Sequence, residues 1–111
     1  MVAGWGVITD PNTWATSEAG RLTRIRPNGK ISEQTEPLAN FDGLIRHEDG
    51  RGINYVATDF NGGNLYSADA HLGHYTVSDS FGEGIADIAY HGDTAYLLNY
   101  KTGELFSVPA E

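Results

Sequence analysis

One phrase is written three times along this chain. It reads TWATSEAGRLTRI at 13–25, NYVATDFNGGNLYSA at 54–68 and AYLLNYKTGELFSV at 95–108. Aligned on their aromatic starts, Trp14, Tyr55 and Tyr96 lie 41 residues apart both times. A second anchor follows in each copy: Gly20-Arg21-Leu22, Gly63-Asn64-Leu65 and Gly103-Glu104-Leu105, at intervals of 43 and 40. A fixed period near 40 marks a repeat architecture, in which each unit covers its apolar face only by stacking on the next. The small offsets fall in turns, where insertions are tolerated best.

Each unit reads as short strands divided by turns. In the second, LIRHE, INYVATD, NLYSADA and HYTVSD are strands, and DGRG, FNGG and HLG are the turns between them. Asn and Gly supply the positive φ that tight hairpins need. The first unit places DPN and PNG at corresponding corners, and the third HGD and KTG. No segment carries a helical apolar period. Fourteen glycines, one methionine and twelve aromatic residues fit the same picture. Four antiparallel sequential strands in about 41 residues describe one β-propeller blade. The expected fold is therefore all-β: a propeller fragment of about two and three-quarter blades. Blade 1 covers about 6–42, blade 2 about 43–84 and blade 3 about 85–111, the last without its outer strand. A β-sandwich also has many short strands but requires no such period.

The stretch LTRIRPNGKISEQTEPL resembles the repeats of the streptogramin lyase group. The matching residues are Trp14, Ser17-Glu18, Arg24-Ile25, Pro27-Asn28-Gly29 and Ile31 to Glu33. VATDFNGGNLYSAD is similar to the SMP-30/gluconolactonase and NHL propellers. The resemblance implies a six- or seven-bladed ring. In the lactonase-like families it also implies a divalent cation, such as calcium, in the central channel. An Asp or Asn before a Gly at the start of an inner strand is among its ligands there. Asp42-Gly43 in FDGLI matches that pattern, and Asp87 in GIADIAY stands at a similar place. Glu83 joins Asp42 and Asp87 near the inner strand entrances as a candidate metal ligand. Hard cations want several converging oxygens, whereas Asp before Gly also simply favours a turn.

Other residues carry weaker chemistry. Glu18 and Asp59 occupy matching positions and would serve as an acid–base pair if brought together. His47, His71, His74 and His91 read as surface turn residues, with His71 and His74 spaced to chelate a metal but lacking an evident third ligand. Trp14, Tyr55 and Tyr96 are expected to be wedges between neighbouring blades. No nucleophile elbow, phosphate loop, HExxH or dinucleotide fingerprint is present.

Charge is uneven. Residues 1–58 hold 7 acids and 6 bases, while 59–111 hold 8 acids and Lys101 alone, for a net −8 overall. Such a balance disfavours nucleic acid as a partner. The absence of cysteine removes disulfide and thiolate chemistry. No apolar run is long enough to span a membrane, and the first ten residues do not form a signal peptide. The basic cluster Arg21, Arg24, Arg26 and Lys30 faces an acidic second half, which points to an interface between copies. With two end faces expected bare, association is expected, a head-to-tail dimer of about six blades before any other. Two functions follow: a self-assembling structural or binding module, or a metal-dependent lactonase-like hydrolase with its site in the assembled channel. A lyase like the streptogramin group is a third.

Overall fold

The computed structural model describes residues 1–4, 8–10, 15–16, 19–50, 52–69 and 71–109. Among them every regular element is a strand. In chain order these are β1 (Val2–Ala3), β2 (Ile8–Asp10), β3 (Ala15–Thr16), β4 (Leu22–Ile25), β5 (Ile31–Gln34), β6 (Phe41–Asp49), β7 (Gly52–Asp59), β8 (Leu65–Ala68), β9 (Tyr75–Val77), β10 (Ile85–His91), β11 (Thr94–Asn99) and β12 (Leu105–Pro109). No helix long and apolar enough to cross a membrane occurs among them.

The middle sheet is a four-stranded antiparallel meander in the order β6-β7-β8-β9. Its strands fall where the second unit was expected to have them. The last sheet, β10-β11-β12, repeats the first three strands of that plan, with Gly92-Asp93 as a two-residue hairpin loop. Both inner strands begin with a bulge, between Phe41 and Leu44 in β6 and between Ile85 and Asp87 in β10.

The first unit departs from the plan. β2 and β3 form a hairpin, and β4 pairs with β5. The other neighbour of β4 is β1, through Val2↔Thr23 and Ala3↔Leu22, rather than β3. The chain start thus enters the first sheet. Gly4 N donates to Arg21 O at 2.9 Å, as Asp59 N does to Asn64 O and Asn99 N to Glu104 O. Residues 2–4 occupy the ladder position that the repeat assigns to 14–18.

Two cores result, one on each face of the middle sheet. Leu22, Ala39, Phe41, Ala57 and Ala68 join it to the first sheet, with Tyr66 set edge-on to Phe41 at 5.1 Å. Val56, Leu65, Ile85, Ile88, Ala95 and Leu97 join it to the last. Leu22, Ile85 and Leu97 are fully buried, each contributing about 1.5–3 kcal/mol relative to exposure.

The strand registers correct the expected aromatic alignment. Val56 pairs with Ser67 and Tyr96 with Ser107; Thr58 pairs with Leu65 and Leu98 with Leu105. The period between these units is 40, so the ladder counterpart of Tyr55 is Ala95, not Tyr96. A one-residue slip sends a side chain to the opposite face. Tyr96 therefore points away from the middle sheet and is exposed, while Tyr55 is half-buried on the side of the first sheet. Neither is a repeated wedge. Trp14 lies outside the described residues.

Candidate functional site

The bulges at the starts of β6 and β10 bring Asp42 and Asp87 together. The strands meet closely because Gly43 has no side chain: a Cβ there would stand 2.9 Å from Ala86 O and 3.0 Å from Thr58 Oγ1. Gly43 N donates to Thr58 Oγ1 at 2.7 Å, and that hydroxyl reaches Ala86 O at 3.4 Å. Loss of solvent at this junction, and then the Asp87 charge, pushes the Asp42 carboxyl above the ordinary range. A neighbouring like charge favours the protonated form of Asp42, or a cation beside it.

Glu83 does not join them. Its carboxylate is held by Lys101 Nζ, and its carbonyl accepts from Asn99 Nδ2 at 3.1 Å. Among the described residues no three His, Asp or Glu side chains form a group able to hold a metal ion. Two carboxylates in one copy do not complete a hard-cation shell.

The basic cluster is engaged within the chain. Arg21 Nη1 donates to Thr35 O at 3.1 Å. Arg24 Nη1 lies 3.4 Å from Glu33 Oε2 and 3.1 Å from His71 Nδ1, tying the first sheet to the turn after β8. The Ser32 hydroxyl donating to Glu33, followed by His71 and Arg24, holds the Glu33 carboxyl below its ordinary value. Tyr75 OH donates to Glu36 Oε1 at 3.1 Å, a second tie between these sheets. Arg26 and Lys30 stay exposed at the β4–β5 turn.

The histidines separate into two kinds. His74 and His91 are exposed, and His71 meets Arg24 and Glu33 rather than His74. His47 is not a surface turn residue: it lies within β6 and stacks on Tyr90 at 3.9 Å, because the last sheet packs over it. Among the described residues its Nε2 makes no hydrogen bond, and it stands 3.7 Å from Asp93 Oδ1. Asp59 is buried at the end of β7, where its Oδ1 accepts from Gly62 N at 3.1 Å. Burial first, and its charge second, raise the Tyr66 phenol. Glu18, its expected partner, lies outside the described residues.

Sequence reasoning missed a hydroxyl lock. Leu22 N donates to Thr35 Oγ1 at 3.1 Å and Leu65 N to Ser78 Oγ at 2.8 Å. Each hydroxyl then donates to the next carbonyl, Glu36 O or Asp79 O. The signal was a hydroxyl residue before an acid, 13 residues after each leucine.

The outer face of the last sheet exposes apolar side chains. Tyr96, Leu98 and Leu105 are 39%, 39% and 70% exposed, whereas Val56, Thr58 and Leu65, at the same ladder positions of the middle sheet, are 2%, 0% and 9% exposed. On the first sheet Ile25 and Ile31 are exposed on the face turned from the middle sheet. No family model, curated protein or solved structure matches the chain.

Proposed function

We propose that the chain is a β-propeller repeat module that closes into a ring with a second copy, head to tail, and acts as a structural or binding platform. The observation that carries this reading is the contrast between equivalent faces. The middle sheet buries Val56, Thr58 and Leu65 beneath the last sheet, and the last sheet offers the same positions to solvent. A face of this kind is an interaction surface rather than a solvated one.

A second copy brings the matching cover. In the middle sheet, Tyr66 and Ala68 face the preceding sheet; Phe106 and Val108 do so in the last. Thr23 and Ile25 are their counterparts in the first sheet, where Thr23 is half-buried and Ile25 exposed. Charge agrees, since Arg26 and Lys30 are exposed on the first sheet and Asp87, Asp93 and Glu104 on the last. Exposed pairs contribute only about 0–1 kcal/mol each, but their arrangement favours head-to-tail over head-to-head contact. Two copies supply six repeat units, inside the range of about 4–8 blades that close propellers. Light scattering at micromolar concentration tests the reading. Twice the 12.0 kDa chain mass is expected, and a Leu98→Arg variant should remain at the monomer mass. A well-folded parent monomer overturns it.

A second reading, a calcium-dependent lactonase-like hydrolase, is favoured by one observation: the pairing of Asp42 with Asp87. It needs the ring, which brings four such carboxylates to one channel mouth. A rise in melting temperature with calcium, lost with EDTA and in Asp42→Asn, would promote it and call for lactone assays. The absence of any shift would remove it.

A further inference from the structure

We propose that the depression beside Asp59 binds a primary alkylammonium group. The inference comes from one repeat position that two units fill differently. Asp59 and Asn99 stand at the same place: each is buried at the end of its strand, and each carbonyl accepts from a turn glycine at 2.8 Å, Gly63 or Gly103. Each Oδ1 caps its turn, Asp59 from Gly62 N, and Asn99 from Lys101 N at 2.9 Å and Thr102 N at 3.2 Å.

The second atom of the side chain separates them. Asn99 Nδ2 donates to Glu83 O at 3.1 Å and seals its turn against the preceding loop. Phe60 N donates to Asn40 O and Tyr100 N to Gly84 O, so the counterpart of Glu83 in the preceding unit is Ala39. Asp59 has a carboxylate oxygen where Asn99 has an NH2 donor. Asp59 Oδ2 makes no hydrogen bond among the described residues, and the seal is missing. In its place is a depression of about 350 Å³, with Asp59, Asn40 and Asn61 in its polar wall and Ala19, Leu38 and Ala39 beside them.

A buried carboxylate with a single hydrogen bond among the described residues is costly and calls for a positive partner. A carboxylate oxygen only accepts, so a partner that satisfies Asp59 Oδ2 must carry N–H donors as well as charge. A primary ammonium has three, so one can meet Asp59 Oδ2 while the others stay in water. Its alkyl stem would lie on Leu38 and the two alanines. The net charge of −8 raises the local concentration of such cations.

The test is a two-dimensional amide NMR titration of the parent chain at constant ionic strength. Three probes are used: n-butylammonium chloride, tetramethylammonium chloride and calcium chloride. Saturable shifts at Gly62, Asn61 and residues 38–40 are expected with n-butylammonium alone. The same shifts with tetramethylammonium would mean charge without donors suffices, and with calcium would mean a metal site; either overturns the proposal, as does the absence of saturable shifts with n-butylammonium. These parent titrations decide the matter without any variant. In Asp59→Asn the shifts should vanish and the melting temperature rise, because the amide can then make the bond that Asn99 makes. Retained shifts in a folded Asp59→Asn would also overturn it.

Discussion

In the middle sheet, the turn glycine Gly63 is pressed against the backbone of Gly82; in the last sheet a Cβ at its counterpart Gly103 would meet none of the described residues. Both have φ of +74°, and both close the same turn by donating to the strand-end carbonyl. The turn's backbone plan is shared, and a following unit covers only the first of the two. Identical substitutions at the two places therefore measure what the cover is worth. A Cβ at Gly63 would stand 2.2 Å from Gly82 O, whereas at Gly103 nothing lies within 4 Å. Gly103→Ala should cost about 1–2 kcal/mol, the left-handed backbone penalty. Gly63→Ala adds overpacking of about 1–3 kcal/mol, for roughly 2–5 in all. Urea denaturation of both variants gives the difference, and equal costs would break the comparison.

Leucine truncation probes the same contrast through apolar contact. Leu65→Ala, beneath the last sheet, should cost about 2–3 kcal/mol, the lower part of the range for core leucines. Leu105→Ala should stay within about 0.5 kcal/mol in the dilute monomer, as an exposed site does. If two copies close a ring as proposed, Leu105→Ala should weaken that association at higher concentration. A Leu105 variant as damaging as the Leu65 one in the monomer would mean that its face is already covered.

How far the sequence reveals this arrangement follows from which residues act locally. FNGG and KTG mark their turns because positive φ and side-chain caps are properties of a few adjacent residues. INYVATD and NLYSADA mark their strands for the same reason, through β-branched and aromatic choices. The aromatic alignment misleads because face is decided by register, and register here is set by the turn, not by the tyrosine. His47 is hidden from a linear reading because Tyr90, which covers it, comes from the next unit. The entry of β1 into the first sheet is a contest between two short segments for one strand, and nothing local to either decides it. Of the candidate ligands, Asp42 and Asp87 are neighbours because β6 and β10 both open on a bulge. Glu83 is drawn off by Lys101, a partner outside its own unit's pattern.

The hydroxyl lock gives a smaller effect that compares the first and middle sheets. Thr35 is buried and Ser78 half-buried, and each satisfies a leucine N–H. Thr35→Val leaves Leu22 N without an acceptor, at about 1–3 kcal/mol for a buried donor. Ser78→Ala should cost less, about 0.5–1.5 kcal/mol, because water can reach the site. Amide exchange at Leu22 and Leu65 locates the change, and uniform acceleration across all sheets would argue against a local lock.

The smallest expected effect concerns Asp42 and is a pH dependence. Its carboxyl binds a proton more tightly in the folded chain than in the unfolded one, first through lost solvation and then through Asp87. Stability from this group therefore falls as pH rises from the ordinary carboxylate value through the raised folded one. Above that window both states are ionised and the full penalty is present; below it both are protonated and the penalty is gone. Asp42→Asn should accordingly raise the melting temperature slightly at pH 7, with the gain fading to nothing near pH 3. The side chain is exposed, so solvent screens most of the repulsion and the shift stays small. Gly43→Ala, which wedges β6 from β10, should lower stability at both pH values by sterics instead. If Asp42→Asn stabilises equally at pH 3 and pH 7, the cause is not charge. The two strand entrances would then be neighbours that do not act on one another.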